Sequence, residues 1–260
     1  QNACVEVDGS AYWMSENGFF RYAGKLESLP CLVEDHVYDN INLESGNQMV
    51  SAGLNNLFGE VMWFYPTTGS SVVNRMVCYN YFDSSSQRPV WTVGTLARTM
   101  WEDSAIFGKP HALEYDAATD TSFDVVGNTE GRTTYYEHET GTDQVKGGTV
   151  TAIAANILSG DFDISQRTQR GQTTSVADLR GDGEFMMKIR RFIPDFISQT
   201  GDTRITFNVR NFPSDTAASS SLGPFTITSS TQKVDTRARG RAIALKVENT
   251  STSQSWKLGT

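Results

Sequence analysis

Three histidines, three cysteines and 30 acidic residues are the raw material for chemistry in this 260-residue chain. His36, His111 and His138 lie far apart, and none stands in an H-x-x-x-H or H-x-H spacing that would bring two imidazoles to one metal. His138, in "YYEHET" between Glu137 and Glu139, reads as a solvated or structural residue at a charged strand end. "VEDHVYD" gathers Glu34, Asp35, His36 and Asp39, a donor set that suits a divalent cation, although a charged loop after Pro30 accounts for it equally. The acids Asp116, Asp120 and Asp124 lack the two-residue spacing and central glycine of a calcium loop. "RGD" at Arg180–Asp182 belongs to a glycine-rich turn before a strand. Nucleophile elbow, phosphate loop and dinucleotide fingerprint are all missing from the sequence. Cys4, Cys31 and Cys78 are odd in number and widely spaced with no C-x-x-C, which favours three small buried thiols over a disulfide framework or a zinc site. No catalytic residue, metal or cofactor is expected.

The positive charges are better organised. Lys188, Arg190 and Arg191 crowd one strand-like segment around Ile189, and Arg237, Arg239 and Arg241 recur at spacing two. Residues at i, i+2 and i+4 of a strand share a face, so the second trio forms an arginine row. A planar guanidinium takes a carboxylate with two parallel bonds, so the row suits an acidic partner: a neighbouring subunit, the acidic half of its own chain, or a phosphate backbone. A solvated strand face accounts for the same residues. Residues 1–150 hold 8 Lys and Arg against 20 Asp and Glu, whereas residues 151–260 hold 14 against 10. An acidic module joined to a basic one is the reading of that asymmetry, and the basic excess is too small for a dedicated nucleic-acid domain. No run of 18 apolar residues occurs, so no helical membrane span is encoded. The chain opens Gln-Asn-Ala-Cys and reads as an internal piece of a longer protein.

The elements that must position these residues are strands. Ala11–Met14, the turn Ser15-Glu16-Asn17-Gly18 and Phe19–Tyr22 form a hairpin around an Asn-Gly signal. Val61–Tyr65 with Arg75–Phe82, and a longer loop leading to Thr133–Glu137, repeat the device. One helix is expected, over Ser45–Leu57, despite Gly46 and Gly53. Tyr22, Tyr79 and Tyr136 each end an aromatic strand and are 57 residues apart. A fixed period of this size, with short strands and aromatic signatures, marks the blades of a β-propeller. On that reading Trp13, Trp63, Trp91 and Trp101 fill the space between blades. The competing reading makes Trp13, Trp63 and Trp91 a stacking platform for a sugar.

Beyond Gly147-Gly148 the texture changes to clean alternation. In "TRITFNVRNFP", Ile205, Phe207 and Val209 share one face, and in "RGRAIALKVEN" Ile243, Leu245 and Val247 do the same. The stretch Ser214–Pro224 reads as a flexible loop between strands. The expected fold is therefore all-β: a partial β-propeller over residues 1–148, followed by a β-sandwich-like platform over residues 149–260.

The ordered segments "YWMSENGFFRYAGKLESLPC", "WTVGTLARTMWED", "FMMKIRRFIPDF", "GPFTIT" and "KVDTRARGRAIALKVENTSTSQSWKLG" resemble the tail tube or nozzle proteins of short-tailed bacteriophages (podoviruses), some of them described as packaged DNA stabilisation proteins. The resemblance implies a structural virion protein of the tail, made in the bacterial cytoplasm and without enzymatic activity. It implies a β-propeller carrying an all-β platform and assembly with copies of itself as a hexameric ring. It also implies docking of the platform on the adaptor ring beneath the portal, and passage of double-stranded DNA through the channel. An acidic lining in such a conduit avoids holding the duplex by counterion release. A carbohydrate- or receptor-binding propeller is the alternative, with a propeller glycosidase, which needs paired carboxylates, behind it.

Overall fold

Alternating apolar residues, short segments and turn-forming dipeptides make the described residues 57% strand and 3% helix. The structure is a computed structural model describing residues 3–42, 44, 49–85, 88–116, 132–164, 185–212 and 217–259. The chain divides into two compact units, Gln1–Thr140 and Gly141–Thr260. The sequence boundary expected at 148 instead falls inside a hairpin of the second unit, whose two-residue turn is Gly147-Gly148 with φ of +56° and +78°. Two adjacent residues at positive φ suit glycine, and their twist matches that of the strands they join.

The first unit is built from antiparallel meanders. Strands β1 (Cys4–Val7), β2 (Ser10–Ser15), β3 (Gly18–Tyr22) and β4 (Leu26–Leu29) pair in chain order. The hairpin between β2 and β3 follows the Asn-Gly signal, but only Gly18 takes positive φ, at +143°. The turn is held from outside by helix α1 (Glu34–Tyr38). The Tyr38 hydroxyl accepts from the Gly18 N–H at 3.0 Å and donates to the Ser15 carbonyl at 2.7 Å. A second meander contains β5 (Ser51–Asn55), β6 (Glu60–Tyr65), β7 (Arg75–Ser85) and β8 (Arg88–Gly94). The helix expected over Ser45–Leu57 is thus corrected in its second half: Met49 is helical but Ser51–Asn55 is a strand, and residues 45–48 lie outside the described residues. Gly53 does not break a helix there. It makes room for a neighbouring tryptophan, because a Cβ at Gly53 would stand 2.6 Å from the Trp101 ring. The third sheet holds β9 (Met100–Glu102), β10 (His111–Asp116) and β11 (Arg132–Glu137).

These sheets pack face to face. Val61, Trp63, Tyr65 and Val77 of the second sheet bury against Tyr12, Met14, Phe19 and Leu29 of the first, with Val37 of α1 completing the cluster. The opposite face of the same sheet, Met62, Phe64 and Cys78, buries against Trp101 and Ala112 of the third. A strand buried on both faces reads as a continuous apolar run, which is what "VMWFY" is. The 57-residue tyrosine period has a structural counterpart. Tyr22, Tyr79 and Tyr136 are each the fifth residue of the third strand, paired with Ala11, Val61 and Ala112, each the second residue of the strand before.

The second unit begins with the hairpin of β12 (Asp143–Lys146) and β13 (Thr149–Ala152), followed by β14 (Asn156–Leu158). Strands β15 (Met187–Phe192), β16 (Phe196–Thr200), β17 (Thr203–Arg210), β18 (Ser220–Ile227), β19 (Val234–Gly240), β20 (Ala242–Glu248) and β21 (Ser255–Leu258) follow. A four-stranded sheet in the order β14-β20-β17-β18 is joined by the two-stranded ribbons β15-β19 and β16-β21. The alternation in β17 is realised: Ile205, Phe207 and Val209 are buried on one face. They form a core with Ile243 and Val247 of β20, Ile227 of β18, and Met187 and Ala238 of the β15-β19 ribbon. Gly240 lets that ribbon approach β17, since any Cβ there would overlap the Val209 side chain. Part of the expected loop Ser214–Pro224 is strand: Ser220–Ile227 pairs with β17 across a bulge, and residues 213–216 lie outside the described residues.

Candidate interaction surface

Pairing in the β15-β19 ribbon sets Lys188 opposite Arg239 and Ile189 opposite Ala238. The register then shifts between Ile189 and Arg191, so Arg190 falls in the irregularity. Thr236, Ala238 and Gly240 turn inward, and Asp235, Arg237 and Arg239 turn out to solvent. The bulge lets both Arg190 and Arg191 reach solvent beside Lys188. Arg191 spends its charge locally, with its Nε 2.6 Å from the Asp235 carboxylate. That contact raises the Arg191 guanidinium and holds the Asp235 carboxyl below its usual range. Lys188, Arg190 and Arg237 border an open groove of about 610 Å³ with Asp235 and Thr236. The structure therefore joins the two basic clusters of the sequence on one ribbon.

Arg241 departs from the expected row. It lies beyond the end of β19, is half-buried, and its guanidinium sits 5.9 Å from the centre of the Phe212 ring. The row on the ribbon face is Arg237 and Arg239, extended sideways by Lys188 and Arg190. Spacing alone missed this because the strand ends at Gly240, after which i+2 no longer means the same face.

The tryptophans divide by depth. Trp63 is fully buried, 5.0 Å ring to ring from Phe19, with its N–H donated to the Ala3 carbonyl at 3.0 Å. It offers no face to a sugar, which corrects its place in a ligand platform. Trp91 is half-buried in the same cluster, 4.7 Å from Phe19 and 4.9 Å from Tyr79, and donates to the Pro30 carbonyl. Trp101 is buried between the second and third sheets and donates to the Leu54 carbonyl at 2.8 Å. Trp13 alone lies on an outer sheet face, stacked on Phe20 at 5.8 Å.

Of the two readings of His138, solvated or structural, the structure favours the second, and the residue is half-buried. Its Nε2 accepts the Arg98 Nε–H at 2.9 Å, and its ring lies 4.4 Å from that of Trp101. Burial and the facing Arg98 charge push its pKa down to about 4. Arg98 itself is buried, 2.8 Å from Glu114 and 4.0 Å above the Tyr136 ring. No spacing in the sequence announces this group, because its members come from β10, β11 and the segments flanking the third sheet. The thiols, expected to be three small buried groups, meet that expectation only in part. Cys78 is buried, with its pKa pushed to about 12 by desolvation, and Cys31 is half-buried at about 11. Cys4 is exposed, because it lies on the outer face of the first sheet opposite Trp13. Glu34, Asp35 and His36 occupy α1 and not a loop. Among the described residues no group of three or more His, Cys, Asp and Glu is gathered as for a metal ion. Asp120, Asp124 and Arg180–Asp182 lie outside the described residues. No protein-family model and no curated protein matches the chain.

Proposed function

We propose that this chain is a structural protein of a phage tail, a component of a tube or nozzle through which double-stranded DNA leaves and behind which packaged DNA is retained. The observation that carries the reading is the stack of three meanders with matched registers, which is how successive blades of a propeller pack. The first unit is then a partial β-propeller, and the second a β-sandwich-like platform whose basic ribbon docks on an adaptor ring. Charge supports that division of labour. Residues 1–140 hold 7 Lys and Arg against 19 Asp and Glu, and residues 141–260 hold 15 against 11. An acidic propeller lines a channel without gripping DNA, and Lys188, Arg190, Arg237 and Arg239 meet carboxylates of a protein neighbour. In this reading the protein works by assembly with copies of itself and with the portal-proximal ring, not by catalysis.

The test is complementation of a phage lacking the gene. The wild-type protein is expected to restore DNA retention and infectivity. A version with Lys188, Arg190, Arg237 and Arg239 all replaced by serine is expected to fold and yet fail to join the tail. Infectious, DNA-filled particles formed without the protein overturn the reading.

A further inference from the structure

The stack in the first unit has a direction. In the second sheet, Val61, Trp63 and Tyr79 face the first sheet, while Met62, Phe64 and Cys78 face the third. Matching registers carry this assignment to the other two sheets. Trp13 and Tyr22 occupy in the first sheet the places of Trp63 and Tyr79, and Leu113 and Tyr115 occupy in the third the places of Met62 and Phe64. The tyrosine series makes the consequence visible. Tyr136 is 8% exposed and Tyr79 half-buried, each beneath the preceding sheet, whereas Tyr22 is 50% exposed. Around Tyr22 the same face carries Trp13, Phe20 and Leu26, the last 59% exposed. At the other end of the stack the open face carries Met100, Leu113, Tyr115 and Tyr135, with Tyr135 63% exposed. Large apolar side chains contiguous on a sheet face mark a contact surface.

We propose that these two faces bind each other between copies of the chain, the Met100–Tyr135 face of one copy covering the Trp13–Tyr22 face of the next. The occupant is a second copy because the two open faces are the two halves of a contact that the chain already makes twice inside itself, in the same sense. Like-on-like pairing of two Trp13 faces has no counterpart in the stack. A head-to-tail contact repeats, so association continues until it closes as a ring or grows as a fibre. The four-stranded face measures about 19 Å by 17 Å and the three-stranded one about 14 Å by 17 Å, so together they cover about 560 Å² before side-chain relief is counted, the size of a weak, concentration-dependent interface. The inference rests on sheet packing and is independent of the phage-tail reading.

Sedimentation velocity on the 260-residue chain tests it. The parent is expected to associate with rising concentration up to about 100 µM, as a micromolar interface does. Tyr22→Glu with Leu26→Glu removes one face, and Met100→Glu with Tyr135→Glu removes the other. Each pair changes residues that are at least half exposed. Circular dichroism and melting establish that both variants fold, and the corresponding serine pairs replace any that do not. Each variant alone is expected to be monomeric, with association weakened at least tenfold. An equimolar mixture of the two, which retains one intact face of each kind, is expected to give a dimer and nothing larger. A parent that stays monomeric, a single-face variant that associates like the parent, or a mixture that stays monomeric overturns the proposal. A monomeric parent would assign the open faces to a different occupant, such as a further meander.

Discussion

His138 illustrates how a single side chain is governed by what surrounds it. Its ring is held neutral because the neutral nitrogen accepts the Arg98 N–H and because a second charge beside a buried guanidinium is unfavourable. The folded pKa of about 4 lies below the ordinary 6.5, so as pH falls the unfolded chain takes up this proton first. Stability from this residue is therefore complete above pH 6.5 and is lost progressively toward pH 4. At about 1.4 kcal/mol per pKa unit, discounted for the solvent that screens a partly buried ring, the loss is about 1–2 kcal/mol. Urea denaturation at pH 7 and pH 4.5 checks this by comparing the parent with His138→Gln, whose amide oxygen still accepts from Arg98. The parent is expected to lose more stability than the variant over that interval, and equal losses would count against the account.

At the scale of elements, the contacts between sheets decide which glycines and aromatics are needed. Trp101 lies close against β5 at Gly53, with its N–H on the neighbouring Leu54 carbonyl. Gly53→Ala should therefore separate the second and third sheets and cost about 1–3 kcal/mol, as overpacking does. Thermal melts of Gly53→Ala beside Gly69→Ala, where nothing lies within 4 Å of the new Cβ, provide the check. Gly69 has φ of +81°, so some strain is expected there too, but the cost of the clash should exceed it. The same region indicates how much could be read beforehand. Strand identity was legible in "VMWFY" and "TRITFNVR" because period and apolar runs are local properties. The 57-residue period was legible as three tyrosines, although only pairing reveals that they share one register. Gly53 argues against the helix expected over Ser45–Leu57, but its reason for being there, a tryptophan 48 residues away, cannot be read in one dimension. The basic ribbon was half legible: both clusters were visible, but their pairing and the exclusion of Arg241 depend on a bulge and a strand end.

Across the whole molecule, two all-β units of opposite charge share one chain, and the account assigns channel to the acidic one and docking to the basic one. The apolar end faces of the stack and the basic ribbon are separate surfaces with separate consequences, so damage to one need not disable the other. The central proposal concerns place, namely that the protein is part of the tail of the virion. Cryo-electron microscopy of intact particles, with gold-labelled antibody raised against residues 141–260 to mark the chain, tests it most directly. The account predicts label at the distal part of the tail, beyond the portal and its adaptor, and density there that accepts three stacked antiparallel sheets around an axial channel. Label confined to capsid or fibres, or virions that carry none of the protein, would contradict it.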